Sequence, residues 1–135
     1  MKLENNWRNK TIENLEKDKW PTVDFDSHLV KRTQELQKIP ISTFSNEDLR
    51  IMIGQQIGLD YLIPIAIEIL TENLWAEADF YEGDILNTVL KIDTEFWDNN
   101  KIYWLTLHDL IKNRMDEIKI RKLDVSNFYK SKHHL

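Results

Sequence analysis

Carboxylates are the densest group of residues in this chain that could carry chemistry. Four of them lie within eight residues of the stretch LWAEADFYEGD, at Glu77, Asp79, Glu82 and Asp84. Closely spaced carboxylates can share a proton or hold a divalent cation, but this spacing does not match an EF-hand loop, and loop charges are most often simply solvated. The interleaved Trp75, Phe80 and Tyr81 favour a protein-docking surface, in which aromatic anchors are surrounded by a charged rim. The same aromatic residues could equally belong to a core.

The other residue types that serve in active sites do not form a recognised pattern. The four histidines, His28, His108, His133 and His134, are not spaced as His-x3-His or His-Glu-x-x-His. Ser27 directly precedes His28, and adjacent residues cannot adopt the geometry of a hydrolase triad, so helix capping explains Ser27 better. Gly54 and Gly58 are not followed by the Gly-Lys-Ser/Thr of a phosphate-binding loop. We therefore predict no catalytic residue, no cofactor and no metal ion, and a protein that is not an enzyme.

Acidic residues are concentrated in the middle of the chain. Residues 44–98 contain twelve Asp or Glu and only two basic residues, Arg50 and Lys91, for a net charge of −10. The flanking segments hold 11 acidic and 16 basic residues, a net charge of +5, and the whole chain carries −5. Because nucleic acid binds to clustered Lys and Arg, the acidic middle predicts no nucleic-acid binding and favours a basic protein surface as the partner.

Length and composition predict one cytoplasmic globular domain. The 135 residues include 41% hydrophobic and 30% charged side chains, which is enough apolar surface for one core. Cysteine is absent, the N-terminus has no apolar segment typical of a secretion signal, and the most apolar stretch, 51–70, is interrupted by charged and amide side chains. We expect a single domain over residues 1–135 without a membrane span, and loose ends at about 1–10 and 125–135.

Helical patterns dominate the sequence. Turn signals are scarce, with only three Gly and three Pro, and apolar residues recur at helical spacing. The predicted fold is all-α, a compact bundle of five to seven helices. Gly58 is expected to separate the helix predicted at 45–56 from the fourth helix, predicted at 59–73. The expected elements are helices at 11–17, 28–38 (capped by Asp26 or Ser27), 45–56 (with a Ser45–Asp48 capping box) and 59–73 (with Pro64 in its first turn), a short helix capped by Asp84, a turn opening at Thr94, and a long helix at 101–122.

The fourth predicted helix is apolar on nearly all sides, so we expect it to be central and buried. At about 100° per residue, one partly polar strip collects Tyr61, Pro64, Ile65, Glu68 and Glu72, and it would reach Trp75 if the helix continued. The strip leads into the acidic stretch 74–83. Charge and periodicity together predict a partner-binding set made of Glu68, Glu72, Trp75, Glu77, Asp79, Tyr81, Glu82 and Asp84.

The central block of the sequence resembles one group of contact-dependent growth inhibition (CDI) immunity proteins. The resemblance is carried by residues 45–86, SNEDLRIMIGQQIGLDYLIPIAIEILTENLWAEADFYEGDIL, and continues upstream through 11–44. It implies a small bacterial protein without catalytic activity that binds the C-terminal toxin domain of a surface-delivered effector, commonly a nuclease and often one that cuts RNA. No contact residue is carried over from the family, because docking side chains should differ between relatives.

Three functions stay open at the level of sequence. The first is an immunity protein whose acidic patch occupies the basic cleft of a toxin and excludes RNA. The second is an adaptor with an acidic face, and the third is a small metal-dependent enzyme built on the acidic cluster. Co-purification with a basic partner encoded just upstream would distinguish the first from the second, and stoichiometric binding of Mg²⁺ or Mn²⁺ would favour the third.

Overall fold

In the part of the chain that the structure describes, the regular secondary structure is helical. A computed structural model describes residue 3 and residues 5–17 and 28–134. Short 3-10 helices lie at Trp7–Asn9 and Ile41–Thr43, and the only strand-like pairing among the described residues is one isolated bridge between Glu77 and Glu82. The all-α prediction is confirmed. Nine α-helices follow one another in the described residues: α1 (Ile12–Glu16), α2 (His28–Leu36), α3 (Asn46–Gly54), α4 (Leu59–Glu72), α5 (Asp84–Leu90), α6 (Thr94–Asp98), α7 (Lys101–Ile111), α8 (Met115–Ile120) and α9 (Ser126–Tyr129).

Side-chain caps and a glycine set several helix boundaries. Thr11 accepts a hydrogen bond from the Asn14 N–H at 3.0 Å and so starts α1. The predicted capping box is confirmed, because Ser45 Oγ accepts from the Asp48 N–H at 3.1 Å and the Asp48 carboxylate accepts from the Ser45 N–H at 3.0 Å. Gly58 separates α3 from α4 as predicted, with a φ of +68° that favours glycine.

Two other predicted features of the helices have different outcomes. The proposed caps of α2, Asp26 and Ser27, lie outside the described residues. Pro64 is the sixth residue of α4 and does not lie in its first turn. Because proline has no N–H to donate to the Asp60 carbonyl, the helix lacks one hydrogen bond at this point. Asp60 is exposed, so water can take the place of the missing donor.

Helix α4 lies at the centre of the core, as its apolar sequence predicts. It contacts α3, α5 and α7, and it belongs to one cluster of buried hydrophobic residues, in which the largest fully buried side chains are Trp97, Trp104 and Phe128. None of the helices in the described part of the chain, α4 included with its 14 residues, has the length and apolarity needed to cross a membrane. The buried side chains of α4 are Leu62, Ile63, Ala66, Ile67 and Leu70.

The long helix predicted at 101–122 is in fact two helices. Helix α7 ends at Ile111 and α8 begins at Met115, with Arg114 outside helical geometry at φ −125° and ψ +21°. The interruption keeps the apolar stripe in phase, so spacing alone does not reveal it. Together with α6, which the sequence predicts only as a turn, and α9, the break gives more helices than the predicted five to seven. The expected stripe itself is buried at Trp104, Leu107, Ile111 and Ile118.

The C-terminal segment is packed, and the expectation of a loose end from about residue 125 is wrong for residues 126–134. Phe128 of α9 is fully buried, and its ring stacks 5.0 Å from that of Trp104. Trp104 Nε1 also donates a hydrogen bond to the Phe128 carbonyl at 2.9 Å. Further on, Asp98 Oδ1 accepts hydrogen bonds from Ser131 Oγ at 3.0 Å and from the Lys132 N–H at 2.9 Å. A four-residue helix is too short to show a periodic pattern, which is why the sequence gives no sign of it.

Residues 5–10 are attached as well, contrary to the loose start expected for about 1–10. The Trp7 ring lies 6.0 Å from that of Tyr61 on α4. The Lys10 carbonyl accepts a hydrogen bond from the Ile41 N–H at 3.1 Å. The N-terminal segment is therefore held against α4 and the second 3-10 helix.

The packing of the C-terminal segment can be tested with Phe128→Ala. Because the ring is fully buried against Trp104, its removal should lower the free energy of unfolding by about 3–5 kcal/mol. Ile120→Ala, at a residue that is 80% exposed on α8, should change it by no more than about 0.5 kcal/mol. Urea unfolding followed by tryptophan fluorescence measures both. Equal stability of the two variants would show that α9 is not part of the core.

Candidate functional site

The eight residues of the predicted partner-binding set divide into an exposed group and a buried pair. Trp75 and Asp84 are buried, with exposures of 8% and 2%. We refer to residues 77–82, EADFYE, as the acidic loop; it lies in the connection between α4 and α5. The six exposed members of the set are Glu68 and Glu72 on α4 and Glu77, Asp79, Tyr81 and Glu82 in the acidic loop.

The two glutamates of α4 differ in their surroundings. The Glu68 carboxylate accepts two hydrogen bonds from the Arg8 guanidinium at 2.9 and 2.5 Å, which lowers the pKa of Glu68 and raises the pKa of Arg8. Glu72, one turn later, is exposed at the end of the helix. The backbone becomes extended at Asn73, with φ −151° and ψ +104°. The polar strip of α4 therefore stops at Glu72 and does not continue to Trp75.

The acidic loop takes its shape from a reversal of the chain within residues 78–81 and from the conformation of Gly83, which follows it. Glu77 and Glu82 face each other in the isolated antiparallel bridge, and the Gly83 N–H donates to the Trp75 carbonyl at 3.1 Å. Gly83 has a φ of +92°, which residues with a Cβ rarely adopt, and a Cβ at this position would lie 3.1 Å from the Trp75 ring. Glycine is thus required both by the backbone conformation and by the close approach of the indole.

The buried carboxylate of Asp84 holds the acidic loop from inside. Its oxygen atoms accept hydrogen bonds from three consecutive backbone N–H groups, those of Ala78, Asp79 and Phe80, at 2.7, 3.2 and 3.0 Å. Burial by itself would raise the pKa of Asp84, but the hydrogen bonds from the loop backbone lower it overall. The sequence predicts Asp84 as a helix cap and a partner contact, whereas the structure has Gly83 at the cap of α5 and turns the Asp84 side chain towards the loop. Asp84 supports the loop from beneath its surface.

Trp75 is covered by side chains from α8 and the residues that flank it. The guanidinium groups of Arg114 and Arg121 lie 5.5 and 4.2 Å from its ring centroid, and its Nε1 donates to the Glu117 carboxylate at 3.3 Å. Arg121 also reaches the acidic loop, with Nη2 at 3.6 Å from Glu82 Oε2. Trp75 is predicted as an aromatic anchor for a partner, but it is buried and instead fixes α8 beside the loop.

Phe80 is an exposed aromatic residue that the predicted set leaves out. It is 70% exposed, and the Arg50 guanidinium of α3 lies 4.5 Å from its ring centroid. The neighbouring Tyr81 is 47% exposed, and its hydroxyl accepts a hydrogen bond from the Asn87 amide at 2.6 Å. The sequence signal is an aromatic residue between acids, ahead of a glycine. That signal applies equally to Trp75, Phe80 and Tyr81, so it cannot tell which of them faces solvent.

The chain matches a known protein family over most of its length. A family described as CDI immunity proteins matches residues 14–107 of the chain, from α1 to α7, and the match includes the whole acidic loop. The chain belongs to this family. This match confirms the resemblance to CDI immunity proteins that residues 45–86 carry, and the chain is called the immunity protein from here on. Comparison with curated proteins and with solved structures gave no significant match.

Three acidic residues of the immunity protein, near or within the loop, form no ion pair in the described part of the chain. Glu72, Glu77 and Asp79 form no ion pair with any described residue, whereas Glu82 pairs with Arg121. Among all the residues that the structure describes, no three His, Asp or Glu side chains come close enough together to hold a metal ion. The acidic loop therefore offers negative charge to a basic surface but does not offer a set of metal ligands.

A second acidic region lies towards the other end of α4. Asp60, Asp93 and Glu95 line a shallow groove of about 550 Å³ formed by the start of α4, by α6 and by the residues that precede α7. Helix α4 has 14 residues and is therefore roughly 20 Å long, so the groove and the acidic loop are separate surfaces. The sequence predicts no site at these groove residues, which contribute only to the net charge of residues 44–98.

The support given by Asp84 can be tested with Asp84→Asn. An amide cannot accept hydrogen bonds from three N–H groups as a carboxylate does, so the free energy of unfolding at neutral pH should fall by about 1.5–3 kcal/mol. Because the pKa of folded Asp84 lies below its ordinary value of 3.8, this stabilisation is present above that value and is lost as the pH falls through the folded pKa. Urea unfolding should show a smaller difference in the free energy of unfolding between wild type and Asp84→Asn at acidic pH than at neutral pH.

Asp79→Asn is the matched control in the same loop, because the Asp79 side chain is exposed. It should change the free energy of unfolding by no more than about 0.5 kcal/mol. Equal effects of the two substitutions would contradict the internal role of Asp84.

Proposed function

We propose that this immunity protein neutralises the toxin domain of its cognate CDI effector by binding it, with the acidic loop and the C-terminal half of α4 on the active or substrate-binding surface of the toxin. The observation that carries the proposal is membership of the CDI immunity family together with a net charge of −10 over residues 44–98. We propose further that the toxin is a nuclease acting on RNA. A cleft that binds nucleic acid is lined by Lys and Arg, which an acidic surface complements.

The proposed contacts are the exposed members of the predicted set. Glu72, Glu77 and Asp79 form no ion pair within the described part of the chain, so they can pair with Lys or Arg of the toxin without breaking one. Glu68 and Glu82 already have Arg8 and Arg121 within reach, and would share their charge with the toxin. Such exposed pairs contribute little individually, so their main effect is on encounter and orientation. Tyr81 adds aromatic contact area next to these charges.

Neutralisation in this proposal is physical and not catalytic. The bound acidic surface excludes RNA by filling the cleft and by placing carboxylates where phosphates would otherwise lie. The chain acts as one domain, in the cytoplasm, and one molecule blocks one toxin domain. No catalytic residue, cofactor or metal is assigned to it.

A titration tests the stoichiometry. Purified immunity protein should stop RNA cleavage by the toxin domain encoded beside it once the two are present in equal amounts, because the inhibitor is consumed by binding. RNA integrity on a gel and the mass of the complex by light scattering measure this. Cleavage that continues in excess immunity protein would contradict the proposal, and so would complete protection at a small fraction of equimolar.

Association kinetics test the acidic surface. Glu77→Gln and Glu82→Gln should each slow association with the toxin domain, because the acidic loop attracts a basic cleft over long range. Raising the salt concentration should slow association more than it speeds dissociation. Surface plasmon resonance at several salt concentrations gives both rate constants.

Glu95→Gln is the matched control, since it removes one exposed carboxylate from α6 in the separate acidic groove. Its association rate should stay near that of wild type. Slower association for Glu95→Gln alone would move the docking surface to the groove. Association that ignores salt and all three substitutions would contradict docking through acidic residues.

A further inference from the structure

Phe80 is presented to solvent in a fixed position. It lies in the middle of the acidic loop and is 70% exposed. Its backbone N–H is bonded to the Asp84 carboxylate at 3.0 Å, and its ring lies 4.5 Å from the Arg50 guanidinium. A ring that is already ordered in the free protein loses less conformational freedom on binding than a ring on a mobile loop.

Arg50 is itself held in place. Its Nε donates to Glu47 Oε1 at 2.6 Å, and both side chains are only about one-fifth exposed, at 20% and 19%. The guanidinium therefore covers one part of the Phe80 ring and leaves the rest open to solvent. A partner meets a ring whose position is set by the backbone on one side and by a fixed cation on the other.

Three exposed carboxylates share the acidic loop with this ring. Glu77, Asp79 and Glu82 occupy the same six-residue loop and are all exposed. An apolar centre with a charged rim is the usual anatomy of the energetically important part of a protein interface. The negative rim selects a partner surface of opposite charge.

We infer that Phe80 is the anchor of the docking surface: its ring enters an apolar pocket of the toxin domain that is bordered by Lys or Arg side chains, and Asp84 is the positioning residue that presents it. The inference rests on the proposed function and adds the chemistry of the complementary site. It also moves the role of aromatic anchor from the buried Trp75 to a residue that a partner can reach.

Phe80→Ala tests the anchor. It should speed dissociation from the toxin domain by about 30-fold or more and change the association rate by less than about threefold, because a buried aromatic contact acts mainly on the lifetime of a complex. Its circular dichroism should match wild type and its urea midpoint should change little, since the ring is exposed and loses only its contact with Arg50. Ile120→Ala, at an 80% exposed residue of α8, is the matched control and should leave both rate constants unchanged. Surface plasmon resonance with the full chain measures them.

A double-mutant cycle tests the positioning role. If Asp84 acts through Phe80, Asp84→Asn should weaken binding by about tenfold in the wild-type background and have little further effect when combined with Phe80→Ala. A merely structural loss would weaken binding equally in both backgrounds. Hydrogen exchange in Asp84→Asn should also speed up more at the amides of residues 78–80 than at those of α4, because the α4 amides report only the loss of global stability.

The outcomes separate this inference from the proposed function. If wild-type immunity protein does not bind the toxin domain, both fail. If wild type binds but Phe80→Ala dissociates no faster than wild type or Ile120→Ala, the anchoring role of Phe80 is wrong. The proposed function then still stands. Equal effects of Asp84→Asn in the two backgrounds would overturn the positioning role.

Discussion

The hydrogen bonds between the Asp84 carboxylate and the backbone of the acidic loop are the interaction on which the surface of this immunity protein depends. Three carboxylates within six residues repel one another and favour an open, solvated chain. The loop nevertheless has a defined conformation, because one buried anion collects three consecutive N–H groups that no helix or strand satisfies. The fourth carboxylate adds a further negative charge, but its hydrogen bonds to the backbone order the residues that carry the other three.

Around this contact, the groups that hold the loop in place are different from the exposed side chains that a partner can reach. Trp75 and Gly83 pack against each other under the loop, and Arg121 joins the indole to Glu82. These groups also tie the loop to α8, a helix outside the matched family region. The side chains above them, such as Asp79 and Phe80, are exposed. The loop can therefore be rigid and still present charge and apolar surface to a partner.

The sequence predicts the helices far better than the loop, for a physical reason. The Ser45–Asp48 capping box and the Gly58 boundary are local, so residue types a few positions apart determine them. The break before Met115 is hidden because it leaves the apolar stripe in phase. The role of Asp84 depends on the chain folding back over it, and an aspartate at that position is equally suited to a cap, a solvated surface or a loop anchor. Burial, which only the fold decides, assigns Asp84 and Trp75 to the interior and leaves Phe80 outside.

The way the loop is held bears on how an immunity protein can change its partner. Asp79 and Phe80 contribute backbone N–H groups to the Asp84 carboxylate, and every residue except proline has such a group. Their side chains can therefore change without breaking the hydrogen bonds that set the loop conformation. In contrast, that conformation needs the negative charge of the Asp84 carboxylate and the positive φ of Gly83, so these two residues cannot change freely. In the proposed complex, substitutions at exposed loop positions can then follow a change in the toxin surface at little cost to folding. Rigid support with variable side chains is what selective recognition of one toxin among many requires.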